Sequence, residues 1–297
     1  MKKLFVNDTF ELGSYPQDIV VDTEITSAAN RLCGTPSILS HALCNRYDNG
    51  ECFGYTRDFE YGGRKYRCVY TEKCSRDGFL GINGYKKHTV YVFEYAPVVW
   101  RVVRADANTA LAVSEKCLDV KPFCNGGLHA RDKERYVDGA AVHMNNYKHS
   151  AIREWLNGEF FDTVFAAEEK ARIATAEVNN GAETTKRAPN PYACENTTDN
   201  VFLLSYAEAA TFFADNESRR KKATEYLKAQ GGYAYATPDK KHNNSVWWLR
   251  SPDRNYCNCV RCVDDGGAMS DGGFSCANEP ANSGEAVVPA ITIIINN

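Results

Sequence analysis

Trp247, Trp248, Leu249, Arg250, Ser251 and Pro252, together with the strand-like run Ile291 to Ile295, bracket a stretch of small and polar residues that cannot build a core of its own. From Asp253 to Cys276 the chain is rich in Gly, Asp, Asn, Ser and Cys, with scattered Arg, Val, Ala, Met, Tyr and Phe, and it follows neither the helical nor the strand period. Such a stretch keeps one shape only where rigid segments on both sides are packed and hold it over them. This constrains the fold to a scaffold with a polar surface near its carboxyl end, and loops held in that way are where binding and catalysis concentrate.

Other phrases recur along the chain. They are Gly13-Ser14-Tyr15-Pro16-Gln17, then Glu94-Tyr95-Ala96-Pro97-Val98-Val99-Trp100-Arg101, then Ala151-Ile152-Arg153-Glu154-Trp155-Leu156-Asn157, then Asp199-Asn200-Val201-Phe202-Leu203-Leu204-Ser205. With the Trp247 to Pro252 phrase they resemble, in order and over nearly the whole chain, a family of bacterial domains with a C-type-lectin-like fold. That family includes variable proteins diversified by retroelements and is related more distantly to formylglycine-generating enzymes. The resemblance implies an α+β chain with a β-rich N-terminal extension over residues 1–88 and a C-type-lectin-like ligand-binding domain over 89–297.

In the retroelement-diversified members, randomised Asn codons give an alphabet without Lys, Glu, Gln, Met and Trp. This chain has 17 Lys, 20 Glu, 2 Gln and 4 Trp in 297 residues, so about three or four would fall between Asp253 and Cys276 at average usage, and none does. Met269 breaks the alphabet, but its alternation with Val263 places it facing inward, where variation is not needed. A Gly-rich loop that happens to exclude these residues is the alternative.

Local signals give a coarse order of elements. Phe5 to Leu12, Lys65 to Tyr70 and Thr89 to Tyr95 read as strands, with a hairpin between Phe59 and Tyr70 at Gly62-Gly63. Val99 to Val103 and Ala110 to Val113 read as a second hairpin around Asp106 to Asn108. Ser150 is a helix N-cap, with Ile152, Trp155 and Leu156 on one face of the helix it starts. Further helices are read over Ala166 to Ile173, over Tyr206 to Phe213 with both phenylalanines inward, and over Ser218 to Gln230, closed by Gly231. Within the last of these, Arg219, Arg220, Lys221 and Lys222 read as a solvated helix face. Helices in the middle and strands at both ends make the chain α+β.

Charge and hydropathy exclude several classes. The net charge of -3 and the scattered Lys and Arg leave no basic field for general nucleic-acid binding. No apolar run approaches the length of a membrane span, and Asn7, Asp8 and Glu11 interrupt any secretion leader. The expected setting is therefore cytoplasmic, or carriage by a larger assembly. The 12 cysteines are irregularly spaced, which favours free thiols. Cys257, Cys259 and Cys262 come nearest to a cluster, and Cys276 or His242 could complete a tetrahedral zinc site. Randomised Asn codons also produce Cys, and no metal or other cofactor is expected.

The enzymatic relatives use a cysteine pair to hold copper, which Cys259 and Cys262 mimic superficially, but their active-site phrasing is not matched. His129, His143 and His149 form no compact metal motif, and neither a nucleophile elbow nor a phosphate-binding Gly loop is present. No catalytic residue is assigned. Trp100, Trp155, Trp247 and Trp248 read as core aromatics, with one of the adjacent pair inward and the other supporting the loop. Arg250 reads as the loop's anchor, through its guanidinium fork to carbonyls or a carboxylate.

The function expected is non-enzymatic recognition of an unknown protein or glycan. The face would comprise Arg254, Asn255, Tyr256, Asn258, Arg261, Asp264, Asp265, Ser270, Asp271, Phe274 and Ser275. Tyr and Phe supply contact area, Arg pairs with carboxylates, and Asn and Ser adapt hydrogen bonds. A carbohydrate site, with Asp and Asn coordinating calcium and sugar hydroxyls, is the runner-up among binding functions, and a metal-dependent enzyme related to formylglycine-generating enzymes is the other alternative.

Overall fold

In the computed structural model, six strands precede residue 115 among the described residues: β1 (Thr9–Ile19), β2 (Cys44–Arg46), β3 (Cys52–Tyr61), β4 (Arg64–Tyr70), β5 (Val90–Ala105) and β6 (Thr109–Ser114). The structure describes residues 3–33, 44–46, 52–71, 77–124, 134–137, 139–234, 236–237, 240–241, 243–269, 278–280 and 284–295. Over these residues the chain is α+β, with short helices between mostly antiparallel strands.

β5 organises the larger sheet. It is 16 residues long, so different parts of it pair with β1, β4 and β6. The sheet runs, among the described residues, in the order Ile173–Ala174, Ala290–Ile294, β6, β5, β4, β3, β2, with Val201–Phe202 also on Ala290–Ile294. Both expected hairpins form. At the first, Tyr61 faces Arg64 and Gly62 and Gly63 take φ of 58° and 75°, the left-handed pair a two-residue turn requires. At the second, Ala105 faces Ala110 and Asp106 N donates to Thr109 O at 2.8 Å.

The boundary at residue 88 therefore falls between β4 and β5 within one continuous sheet. Residues before it still have a small cluster of their own, in which Ala29, Phe59, Tyr66, Cys68 and Tyr70 pack with Val92. The larger core holds Trp100, Trp247 and Trp248, each 0% exposed. Adjacent tryptophans on one strand face opposite sides, and here both sides are covered, so neither indole of the pair reaches the surface. Trp155 is half-buried, its ring 5.0 Å from that of Phe160.

A second sheet carries the carboxyl-terminal phrase. Its order is Asn278–Pro280, Cys259–Val263, Trp247–Pro252, Gly284–Val287, Asp119–Pro122. Trp247–Pro252 is buried at every position, gripped between an antiparallel neighbour and a parallel one.

Helices differ from the sequence reading where a cap or a strand partner intervenes. Ser150 does cap Ala151–Trp155, its Oγ accepting from Arg153 N at 3.2 Å. The helix expected to reach Ile173 stops at Lys170, because Ile173 pairs with Ile293. Tyr206–Phe212 forms behind a Ser205–Glu208 capping box; Phe213 is buried, while Phe212 is half-buried. The stretch read as one helix over Ser218 to Gln230 is instead Asn216–Arg219 and Glu225–Ala229, each with its own N-cap, Asp215 and Thr224. Between them Lys222–Ala223 lies parallel to Lys116–Cys117. This overturns the reading of a solvated basic face. Arg219 is buried at the end of its helix, and from Arg220 on the extended backbone alternates sides, so Lys221 is buried while Arg220 and Lys222 stay exposed.

The phrases that carry the family resemblance lock onto one another. Gln17 Nε2 donates to Ala96 O and Pro97 O at 3.0 and 2.8 Å, and Trp100 Nε1 to Leu12 O at 2.8 Å. Arg153 Nε donates to Asp199 Oδ1 at 2.7 Å, and Asn157 Nδ2 to Val201 O at 2.9 Å. Arg250 N donates to Leu204 O at 2.9 Å.

Candidate functional site

Arg250 ties the buried Trp247–Pro252 strand to the middle of the chain. Its guanidinium donates to Asn180 Oδ1 at 3.1 Å, Leu203 O at 2.7 Å and Asn179 O at 2.8 Å, and it grips both carboxylate oxygens of Glu208. At 2% exposure this is a buried charge made tolerable by a saturated donor set. Burial pushes the Glu208 carboxyl upward, but the charge and hydrogen bonds of Arg250 outweigh it and hold Glu208 below the ordinary glutamate value. Ser251 Oγ accepts from Tyr206 N at 2.9 Å and Asn190 Nδ2 donates to Pro252 O at 3.1 Å, so the strand's exit is fixed as well.

The loop then leaves the core at Asp253, which is 1% exposed. Its Oδ1 accepts from Asn255 N at 2.7 Å and Tyr256 N at 3.0 Å, a side chain imitating a turn, and its Oδ2 pairs with Arg261. From the other side Asn145 Nδ2 donates to Tyr256 O at 3.0 Å and Cys259 O at 3.1 Å, and Asn145 N to Cys257 O at 3.2 Å. Every one of these bonds ends on loop backbone or on Asp253. The side chains of Arg254, Asn255 and Tyr256 are exposed, Tyr256 at 58%, and Cys257 and Asn258 are half-exposed.

Arg261 corrects the expected face. The expected face includes it as an exposed contact, but it is 6% exposed and paired with a carboxylate that is itself buried. Its position on Cys259–Val263 turns it toward Asp253 across the adjacent strand, so it holds the loop from below. Asp264 and Asp265 are half-exposed and belong to a second turn. There Asp264 Oδ1 accepts from Ala268 N at 2.7 Å, and Arg219 Nε and Arg220 Nε donate to Gly267 O and Gly266 O at 2.8 and 3.1 Å. Ser270, Asp271, Phe274 and Ser275 lie outside the described residues, as do Cys276 and His242. Met269 is buried as expected, but not on a strand: the strand ends at Val263 and the Asp264 to Ala268 turn lies between them.

Sequence reading missed a set of basic residues beside the loop. Lys186, Arg187 and Asn190 line a shallow depression with Arg254, Asn255 and Arg261. Lys186 and Arg187 are far from the loop in sequence and share no motif with it, so only the folded chain brings them there.

Cys262 is buried, while Cys257 and Cys259 are half-exposed. Three residues apart on one strand, Cys259 and Cys262 face opposite sides, a poor start for a shared metal. Among the described residues no group of three or more His, Cys, Asp or Glu is arranged to hold an ion. No helix among the described residues is long and apolar enough to cross a membrane.

A family model described only as a domain of unknown function matches residues 108–294, from the β5–β6 turn to the end of the last strand. No curated protein and no solved structure matches the chain.

Proposed function

The chain belongs to the DUF6273 family, a domain of unknown function, and from that premise we propose that it recognises a protein or glycan ligand without catalysis, through the loop surface that begins at Arg254. The observation that carries this is where the loop's restraints end. Asp253 and Asn145 hold Asn255, Tyr256 and Cys257 by backbone atoms, and among the described residues the side chains of Arg254, Asn255 and Tyr256 are exposed and take no part in the scaffold's hydrogen bonding. A surface of that kind accepts new side chains without losing its shape, which suits an adaptable or diversified binding face. The C-type-lectin-like fold and membership among retroelement variable proteins are part of the same proposal. They rest on the interlocking phrases and on the restricted alphabet between Asp253 and Cys276.

The test is a library randomised at Arg254, Asn255, Tyr256, Cys257 and Asn258, sorted first for protease resistance and then for binding to immobilised hen lysozyme as an arbitrary probe. Most members should resist proteolysis as the parent does, and sorting should yield binders. Loss of folding in most members, comparable to Arg250→Ala, would sink the proposal. Sequencing beside the gene for a reverse transcriptase and a near-repeat of the Trp247 to Ile291 coding segment tests the retroelement part alone.

A further inference from the structure

The segment read as a basic helix forms one wall of a cleft of about 420 Å³, which shares no lining residue with the Arg254 to Asn258 loop and whose other walls include Arg101, Glu115, Phe212 and Phe213. Lys221 lines this cleft and is 3% exposed. Among the described residues its ammonium has no hydrogen bond. Glu115 Oε1 stands 4.0 Å from Nζ, and the centroid of the Phe213 ring 5.7 Å. Burial holds the Lys221 ammonium below the ordinary lysine value, partly offset by Glu115.

An ammonium on a side chain 3% exposed, with a single carboxylate oxygen at the outer limit of ion-pair distance, is weakly compensated, and functional sites are where such costs are retained. The neighbouring cations are more closely paired. Arg101 is paired with Glu115 and donates to Asn7 O at 3.2 Å; Arg220 is paired with Glu217 and donates to Gly266 O at 3.1 Å. Glu115 thus serves two cations, and one positive charge at the cleft is left without a carboxylate of its own. The cleft is large enough for a small molecule, since ligand pockets span about 300 to 1,000 Å³. Phe212, Phe213 and Val103 supply apolar wall.

We propose that this cleft binds a small apolar monocarboxylate, its carboxylate accepting hydrogen bonds from Lys221 Nζ and its body lying against Phe212 and Phe213. One uncompensated charge suits a monoanion better than a phosphate dianion. The site is separate from the Arg254 to Asn258 surface and does not depend on that surface's role.

Fluorine NMR line broadening of 4-fluorobenzoate against its neutral amide, on the full chain, tests this. The acid should broaden and the amide should not. Lys221→Met should weaken binding of the acid about tenfold or more, the loss expected for one charge-assisted hydrogen bond. Should Lys221→Met fail to fold, Ala214→Glu supplies the second variant. Ala214 is exposed at the cleft's edge, so a carboxylate there should abolish binding with an unchanged melting transition. Arg254→Ala should bind the acid as the parent does. No broadening by the acid at up to about 10 mM, where millimolar affinities are visible, would overturn the proposal, as would equal binding of acid and amide, or binding by folded Lys221→Met or Ala214→Glu equal to that of the parent.

Discussion

Arg261 and Arg254 have the same side chain and opposite roles. Removing Arg261 would leave Asp253 as a buried carboxylate supported, among the described residues, by the Asn255 and Tyr256 N–H groups alone. Breaking a buried pair from one side costs more than the pair itself contributes, so Arg261→Ala should destabilise the chain by about 3 kcal/mol. Arg254→Ala and Tyr256→Ala remove exposed side chains and should each cost less than about 0.5 kcal/mol. Urea unfolding followed by tryptophan fluorescence separates the two outcomes, because the indoles of Trp247 and Trp248 are fully buried. A loss at Arg254 as large as that at Arg261 would mean that the loop's side chains hold it in place.

Elements in this chain are short, and contacts between distant segments set where they end. The Asp264 to Ala268 turn shows how tightly one is seated on another. Gly267 has φ of 84°, and a Cβ built on it would lie 1.7 Å from the carbonyl oxygen of Asn216, on the helix Asn216–Arg219. Gly63 in the β3–β4 turn has φ of 75° and nothing within 4 Å. Gly63→Ala therefore carries only the left-handed strain of about 1 kcal/mol. Gly267→Ala adds an overlap with backbone that no rotamer relieves, and its cost should be at least about 3 kcal/mol. Equal denaturation midpoints for the two variants would show that the turn is not pressed on the helix.

Across the whole molecule the carboxyl-terminal strand Ala290–Ile294 is central rather than peripheral. It pairs with β6 along its length and with Ile173–Ala174 and Val201–Phe202 on its other edge. Ile291 and Ile293 are 0% exposed, so the last strand closes both the sheet and the core. A chain ending at Val288 should fail to fold as a whole, with loss of the cooperative melt and of hydrogen-exchange protection in β5 and β6 as well as near the cut. Retention of protected β5 amides would show instead that the amino-terminal half folds independently of the last strand.

What the sequence determined by itself was what neighbours in the chain decide. The Gly62-Gly63 turn, the hairpin at Asp106 to Asn108 and the Ser150 cap each depend on residues within a few positions, whose steric and hydrogen-bonding preferences act before any tertiary contact. The anchoring role of Arg250 was legible too, because a guanidinium beside two tryptophans in a strand needs several acceptors to be buried. The tertiary structure alone decided the rest. Lys222–Ala223 is extended because Lys116–Cys117 offers it a ladder, which turns Lys221 inward from what reads locally as a charged helix. Arg261 is buried because Asp253 waits across the strand pair, and Asn145, Lys186 and Arg187 reach the loop from segments with no local pattern linking them to it. A charge's surroundings depend on partners distant in sequence, and local periodicity carries no information about those partners.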